Sequence, residues 1–261
     1  MKNNFRKLPN CFLDKPIAHR GFHDCEALNH AGSGLENSRE AIIQACISGY
    51  CIEIDVRLST DYVPIVIHDQ NLLRLCKLDM DVSETNSNDL FKTRLRNGET
   101  IPSLKEILSL VDGRVPILIE VKPREKNQID NIVTKSIFDV IKGYNGSLAL
   151  MSFAWSLIEG FKTNAVNIPR GLISKLFDEQ NQLLISEQES FGISETSLQT
   201  QGVSFISHFC DNLSPQLFQK NILNNRKVLT WTINNKEAAD AVSNLCDNIT
   251  FEGFHPLNRM R

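Results

Sequence analysis

The sequence predicts an α/β fold, a single (β/α)8 TIM barrel with a β-hairpin and a short insertion after its second strand. Short apolar runs alternate with helix-like stretches along the whole chain of 261 residues. Eight of these runs suit parallel strands, and eight is the number that closes a barrel. No Gly-rich dinucleotide fingerprint follows the first run, which disfavours the rival doubly wound sheet. One domain is therefore expected over residues 1–261, with its core at about 15–255.

The predicted strands are short, and the stretches between them carry apolar residues at helical spacing. The strands are expected at 16–20, 51–57, 116–122, 147–152, 170–174, 203–207, 227–233 and 249–253. The helices are expected at 37–48, 103–110, 129–141, 155–162, 214–223 and 236–245.

A further apolar run, 63–67, does not fit as a strand of the barrel. Only a few residues separate it from the second strand, whereas a parallel crossover needs about a dozen or more. This run is therefore expected to fold back antiparallel as a hairpin, which brings His68 near the second strand. Residues 70–102 are expected to form an irregular insertion, which is rich in Asp, Asn and Ser from Leu78 to Asp89.

Composition excludes several classes of protein and partner. No segment approaches the ~20 apolar residues that span a bilayer, and no apolar stretch follows Lys2, Arg6 and Lys7, so neither membrane insertion nor a signal peptide is expected. A cytoplasmic location follows as the expectation. The net charge of −3 without a Lys/Arg block argues against nucleic acid as a partner. Seven cysteines without a Cys-x-x-Cys pair predict neither a disulfide framework nor a zinc cluster.

The second predicted strand carries an unusual row of charges. Strand side chains alternate between faces, so Glu53, Asp55 and Arg57 share one face. Both faces of a barrel strand are covered, and burying three charges is costly unless they are paired or bind an ion. A structural Glu53–Arg57 ion pair is the alternative to a functional site.

The third strand repeats this pattern, with Glu120 and Lys122 on one face at its C-terminal end. Active sites of such barrels lie at that end of the strands. The carboxylates of Glu53, Asp55 and Glu120 are therefore expected to converge and to hold a divalent cation. Hard oxygen ligands suit Mg²⁺ or Ca²⁺ rather than zinc. With that cation, Lys122 and Arg20, the site favours a phosphate group.

Two histidines at strand ends complete the candidate site. His19 ends the first strand and His68 ends the hairpin, and a pair of imidazoles can serve as general base and general acid. Glu36 precedes a helix capped by Asn37 or Ser38, and it lies on the site face of the barrel.

Trp231 either walls the pocket or fills the barrel, and both interpretations stay open. His208 and His255 each follow a predicted strand end, a position from which a side chain can contact a substrate.

These residues together resemble the glycerophosphodiester phosphodiesterase family, over most of the chain. The matching segments are 17–21 (IAHRG), 36–38 (ENS), 53–61 (EIDVRLSTD), 66–69 (VIHD), 101–108 (IPSLKEIL) and 119–122 (IEVK), with weaker echoes at 151–153 and 228–234. Each segment alone is weak, but their ordered combination is highly specific. The resemblance implies a TIM barrel with a hairpin after the second strand.

The resemblance also implies roles for the site residues. A metal would be held by Glu53, Asp55 and Glu120. Catalysis would be carried out by His19 and His68. Phosphate would be bound by Arg20 and Lys122, and Glu36 would be an additional carboxylate of the site. Two segments depart from the family pattern: Ser38 stands where a Thr is usual, and the usual Thr-Asp-x-Pro-like end of the last strand reads FEGFHP here, from Phe251 to Pro256.

The main functional hypothesis is metal-dependent cleavage of a small glycerophosphodiester-type substrate to a phosphomonoester and an alcohol. Its closest alternative is a synthase or transferase that joins two sugars through a phosphodiester, as the agrocinopine synthases of this superfamily do. The choice between water and an alcohol depends on how well the pocket excludes water. A barrel that binds its ligand without turnover is a third possibility, because a fold does not guarantee chemistry.

Overall fold

The computed structural model describes residues 6–23, 35–124, 130–177, 182–184 and 192–256. Its strands, in chain order, are β1 (Ile17–Ala18), β2 (Cys51–Leu58), β3 (Pro64–Val66), β4 (Ile117–Val121), β5 (Leu148–Ser152), β6 (Arg170–Ser174), β7 (Leu176–Phe177), β8 (Leu183–Leu184), β9 (Phe205–Phe209), β10 (Lys227–Ile233) and β11 (Asn248–Phe251). Its α-helices are α1 (Arg39–Ser48), α2 (Leu73–Cys76), α3 (Ser87–Leu90), α4 (Leu104–Val111), α5 (Asp130–Ile141), α6 (Trp155–Asn164), α7 (Glu195–Gln201), α8 (Pro215–Leu223) and α9 (Lys236–Ala241).

Eight parallel strands close into a barrel, which confirms the predicted fold class. Around the barrel they follow the order β1, β2, β4, β5, β6, β9, β10 and β11. The first strand closes the circle, because Ile17 lies opposite Cys51 of β2 on one side and Thr250 of β11 on the other. Helices connect most neighbouring strands, as parallel pairing requires.

The core has two layers around the barrel wall. On β4, Leu118 points into the barrel, while Ile117 and Ile119 point outward against the helices. The interior is filled by apolar side chains from all around the barrel, among them Ile17, Cys51, Leu118, Ala149, Ile173, Phe205 and Leu229. This packed interior closes the barrel below the candidate site, so the site is open only toward the C-terminal ends of the strands.

The predicted hairpin is also confirmed, since β3 runs antiparallel to β2 with Val66 opposite Val56. The short β1 pairs only with Cys51 and Ile52 at the start of β2. The end of that β2 edge is therefore available to β3. The insertion that follows has its own apolar cluster, which includes Ile65 and Leu90. It is less irregular than predicted, because α2 and α3 lie within it.

Most predicted elements lie within a few residues of the observed ones. Among the described helices and strands, α2, α3, α7, β7 and β8 were not predicted, and the strand expected at 203–207 is shifted by two residues, to Phe205–Phe209. Leu198 is the only buried residue of α7, so this helix shows no apolar periodicity. No helix in the described ranges combines the length and the apolar character that crossing a bilayer demands.

Gly21 is required at the turn that follows β1. Its φ is +85°, and an added Cβ would lie 2.8 Å from the Ala41 Cβ on α1. We expect Gly21→Ala to lower the free energy of unfolding by about 1–3 kcal/mol, from backbone strain and overpacking together. Urea unfolding of Gly98→Ala is the control, because Gly98 has a φ of +91° with no atom within 4 Å of an added Cβ. Equal losses in the two variants would contradict a role for the contact with α1.

Candidate active site

A cavity opens at the C-terminal ends of the barrel strands. Its volume is about 460 Å³, including the solvent at its mouth. Its lining includes the polar side chains of His19, His68 and Lys122 and the apolar rings of Phe153 and Trp231. The cavity therefore joins a strongly polar half to an apolar half.

Three buried carboxylates form the centre of the charged half. Glu53, Asp55 and Glu120 each offer an oxygen, and these oxygens lie within 4.8 Å of one another. Their convergence follows from strand register, because Asp55 of β2 lies opposite Glu120 of β4, and Glu53 is two residues earlier on the same face. The structure thus brings together all three residues that the sequence predicted as metal ligands.

The donor set fits a divalent cation. Glu53 Oε1 is buried and accepts no hydrogen bond from any described residue. Burial raises the pKa of Glu53 well above its ordinary value, and the charges of Asp55 and Glu120 raise it further. Burial likewise raises the pKa of Glu120. Lys122 acts to lower this pKa, and the charge of Asp55 acts to raise it. A divalent ion would relieve this repulsion, and carboxylate oxygens are the ligands that Mg²⁺ and Ca²⁺ prefer.

Two cationic side chains adjoin the carboxylates. Lys122 Nζ lies 2.9 Å from Asp55 Oδ1 and also contacts Glu120. The Arg20 backbone N–H donates to Glu53 Oε2 at 2.9 Å, and its Nε lies 3.2 Å from Asp55 Oδ2. Burial alone would raise the pKa of Asp55, but Lys122 and Arg20 hold that pKa below its ordinary value. The expected phosphate-binding residues therefore lie at the carboxylate cluster.

Asn37 has a role at the site that sequence reasoning missed. Ser38 is the helix cap, since its hydroxyl accepts a hydrogen bond from the Ala41 N–H at 3.2 Å. Asn37 has a φ of +58°. Its side-chain amide donates to Asp55 Oδ2 at 2.9 Å and accepts from the Asp55 N–H at 3.2 Å. It therefore fixes the orientation of Asp55.

His19 is bound by a carboxylate from the opposite end of the chain. Its Nδ1 lies 2.6 Å from Glu252 Oε2, immediately after β11. With Nδ1–H donated to Glu252, Nε2 is left to accept a proton. Burial lowers the pKa of His19 in spite of the raising effect of Glu252, so the ring is neutral near pH 7. Sequence reasoning noted that 251–256 departs from the family pattern but gave Glu252 no role.

His68 belongs to a second hydrogen-bonded group at the cavity mouth. Its Nδ1 donates to Asp69 Oδ1 at 2.7 Å, and Asp69 also accepts from Arg74 Nε at 2.6 Å. Arg74 further donates to Glu36, which in turn accepts from Arg20 Nη1 at 2.8 Å. Glu36 therefore contacts Arg20 and Arg74, and it is absent from the residues that line the cavity.

Trp231 lies in the apolar half of the cavity. Its ring lines the cavity and packs edge-on against Phe153, while its Nε1–H donates to the Ser207 carbonyl oxygen at 3.1 Å. Trp231 thus walls the pocket. Two hydroxyl oxygens that line the same cavity, Ser207 Oγ and Thr250 Oγ1, are buried without a hydrogen-bond partner among the described residues.

Other polar residues considered in the sequence lie elsewhere. Arg57 donates from Nε to the His68 carbonyl oxygen at 2.7 Å, and the structure gives no Glu53–Arg57 ion pair within the described residues. His208 is inside β9 rather than beyond a strand end, and it is fully buried against Ser174. His255 is hydrogen-bonded to the Tyr50 hydroxyl, away from the cavity. Neither of these histidines lines the cavity.

Comparison with known sequences identifies a family model. The model described as the glycerophosphoryl diester phosphodiesterase family matches residues 19–251. The human protein named lysophospholipase D GDPD1 is 28% identical over 148 residues, which are 51% of this chain and 43% of that protein. The probable glycerophosphodiester phosphodiesterase 2 of Mycobacterium tuberculosis is 34% identical over 106 residues, 40% of this chain and 38% of the relative. These matches span less than half the length of either curated relative.

Solved structures resemble the chain over nearly its whole length. A phosphodiesterase from Oleispira antarctica, in complex with the product sn-glycerol-3-phosphate, has a TM-score of 0.77 at 22% identity and covers 92% of this chain and 93% of its own. A glycerophosphodiester phosphodiesterase from Parabacteroides distasonis has a TM-score of 0.74 at 19% identity, with coverages of 91% and 92%. Likeness at this level of identity shows the barrel fold.

Proposed function

Because this chain belongs to the glycerophosphoryl diester phosphodiesterase family, we propose that it cleaves a glycerophosphodiester-type substrate to a phosphomonoester and an alcohol with a divalent metal ion. The observation that carries this proposal is the cluster of three buried carboxylates, Glu53, Asp55 and Glu120. Two of them, Glu53 and Glu120, line the same cavity as His19 and His68. Carboxylates alone would repel a phosphodiester, so the proposal includes a cation.

The metal would be held by Glu53, Asp55 and Glu120. When bound, Mg²⁺ or Ca²⁺ supplies Lewis-acid stabilisation of the negative charge that develops on the phosphoryl oxygens. Arg20 and Lys122 add positive charge on the same side of the cavity. Because the substrate phosphate is anionic, we assign these two side chains to binding and orienting it.

His19 is assigned the role of general base. Glu252 holds its Nδ1, and the lowered pKa of His19 leaves the other ring nitrogen unprotonated near neutral pH. This nitrogen removes a proton from the attacking oxygen, which belongs to water or to a neighbouring substrate hydroxyl. With a substrate hydroxyl as nucleophile, a cyclic phosphate would form first and then be hydrolysed.

His68 is assigned the role of general acid, which protonates the leaving alcohol. Burial lowers the pKa of His68, while Asp55 and Asp69 act to raise it. A bound phosphodiester adds a negative charge beside the ring, and this charge favours the protonated imidazole. His68 would then donate its proton as the bond from phosphorus to the leaving oxygen breaks.

The cavity also supports a hydroxyl-bearing group on the substrate. The Ser207 and Thr250 hydroxyls are buried and unpaired among the described residues. A buried hydroxyl without a partner costs about 1–3 kcal/mol. A glycerol-type moiety offers hydroxyls that can bond to both, and Phe153 and Trp231 can pack against its carbon atoms.

The function is tested by incubating the protein with a panel of glycerophosphodiesters and Mg²⁺ or Ca²⁺, with and without chelator, and identifying the products. Release of a phosphomonoester and an alcohol supports the proposal. New sugar diesters formed from sugar phosphates would instead establish the synthase alternative. Ligand binding without turnover at saturating metal would identify an inactive barrel.

Glu252→Gln tests the assignment of His19. The carboxylate raises the pKa of His19, so its loss should lower that pKa further and move the acidic limb of the kcat/KM profile to lower pH. We expect kcat to fall by about 10- to 100-fold, as on losing a partner that orients a functional histidine. Glu252→Asp, which keeps the charge, should retain the position of the acidic limb. An unchanged pH profile in Glu252→Gln would contradict the assignment of His19 as the general base.

A further inference from the structure

Arg74 lies on the short helix α2 of the insertion, outside every segment that matched the family pattern. It binds two carboxylates at once. Its Nη1 and Nη2 donate to Glu36 at 2.6 and 2.7 Å. Its Nε and Nη2 donate to Asp69 at 2.6 and 2.9 Å.

Both carboxylates have a second partner in the cavity. Glu36 Oε1 also accepts from Arg20 Nη1 at 2.8 Å, and Asp69 Oδ1 also accepts from His68 Nδ1 at 2.7 Å. A continuous chain of charge-assisted hydrogen bonds therefore runs from Arg20 through Glu36, Arg74 and Asp69 to His68. These five residues come from the loop after β1, the end of the hairpin and α2.

The chemistry of the guanidinium suits this double contact. An Arg side chain presents five N–H groups in a planar fork, and two carboxylates can each receive a pair of parallel bonds. A Lys ammonium is a point charge and cannot make both bidentate contacts. The side chain of Arg74 is about half exposed at 49%, while that of Glu36 is only 11% exposed. Arg74 thus closes the outer side of a pair of partly buried anions.

We propose that Arg74 is a positioning residue, which holds the His68 imidazole and the Arg20 guanidinium in a fixed relation by binding Asp69 and Glu36 together. This inference rests on the proposed roles of His68 and Arg20. Arg74 is absent from the residues that line the cavity, so it acts through its carboxylate partners. Loss of Arg74 would free the side chains of Asp69 and Glu36. His68, which Asp69 holds, and Arg20, which Glu36 holds, would then be less fixed.

The experiment compares Arg74→Met, Arg74→Lys and wild type in the full chain. With Mg²⁺ and a glycerophosphodiester that wild type hydrolyses, kcat of Arg74→Met should fall by on the order of 10-fold, with a much smaller change in KM. Arg74→Lys should be intermediate, because it keeps the charge but loses the double contact. A rise in KM at constant kcat would overturn the proposal in favour of direct substrate binding.

A second readout is independent of turnover. The His68 ring is titrated by NMR in wild type and in Arg74→Met. Without the guanidinium, the Asp69 charge acts fully on the imidazole, so the pKa of His68 should rise in the variant. Asp55, Lys122 and Arg20 also act on the pKa of His68, and none of them is substituted in the variant. An unchanged His68 titration would overturn the proposal, even if wild type turns over no diester and the proposed function fails.

Arg39→Met is the matched control. Arg39 makes a comparable pair of hydrogen bonds to one carboxylate, Glu106, at 2.6 and 2.9 Å. Arg39 contacts no cavity residue among the described ones. Arg39→Met should lower the melting temperature about as much as Arg74→Met does, while it keeps the wild-type kcat and the wild-type pKa of His68. If Arg39→Met shifted both as Arg74→Met does, general destabilisation would explain the result and the positioning role would be rejected.

Discussion

His19→Ala and His68→Ala are each expected to lower kcat by about 10²–10⁴-fold, the usual contribution of a general acid or base. Both rings line the cavity, together with Glu53 and Glu120 of the carboxylate cluster. Each ring is bound at Nδ1 by a carboxylate, Glu252 or Asp69, which leaves the other nitrogen for proton transfer. KM should change much less than kcat, because proton transfer stabilises the transition state rather than the bound substrate.

The two variants should also change the pH dependence differently. Burial lowers the pKa of both rings, so the acidic limb of kcat/KM for a His19 base should lie below pH ~6.5, the ordinary value for histidine. His19→Ala should remove this limb, and His68→Ala should remove the basic limb. His255→Ala is the control, since His255 contacts Tyr50 outside the cavity. Full turnover in either cavity variant would refute the assignment of that residue.

Chelation is expected to abolish turnover, and Mg²⁺ or Ca²⁺ should restore it and raise the melting temperature. A ligand that binds only the folded state stabilises it by about 2.7 kcal/mol at a concentration of 100 Kd. Glu53, Asp55 and Glu120 are the proposed ligands of this cation, since their oxygens lie within 4.8 Å of one another. The binding should strengthen as pH rises, because carboxyl groups whose pKa is raised must lose their protons to act as ligands.

Glu53→Gln separates metal binding from folding. The folded protein keeps a proton on Glu53 above the ordinary pKa of 4.5, while the unfolded chain releases it. Metal-free stability contributed by Glu53 therefore falls as pH rises from that value through the raised pKa. Glu53→Gln should raise the metal-free melting temperature near pH 7 and abolish the gain from Mg²⁺. Asp139→Asn, at an exposed carboxylate of α5, should keep that gain. A full gain in Glu53→Gln would contradict this ligand set.

Strand periodicity carried most of the prediction of the carboxylate cluster. In a parallel barrel, alternation and the C-terminal end of the strand determine which side chains face the site, and Glu53, Asp55 and Glu120 follow from these two rules. The hairpin was predictable because too few residues separate 63–67 from the second strand for a parallel crossover. The roles of Glu53, Asp55 and Glu120 in metal binding stay predictions, which the experiments above test.

The hydrogen-bond partners of the proposed catalytic groups were not predictable in the same way. Glu252 and His19 are 233 residues apart in sequence, and their contact depends on the closure of β11 against β1. Arg74 lies in an insertion without periodicity, where no rule of alternation states which side chain reaches which loop. Asn37 appeared as a helix cap, and only its positive φ in the structure directs its amide to Asp55.

The brevity of β1 has a consequence for how this barrel could diversify. Eight strands close the barrel without β3. The hairpin therefore pairs with the end of the β2 edge that the short β1 leaves open, and the barrel does not need it to close. Lengthening or exchanging the hairpin and the segment that follows it would remodel the side of the cavity that His68 lines and would leave Glu53, Asp55 and Glu120 in place. Adaptation to a new leaving group would therefore be expected to accumulate in 63–102, while β2 and β4 stay constant.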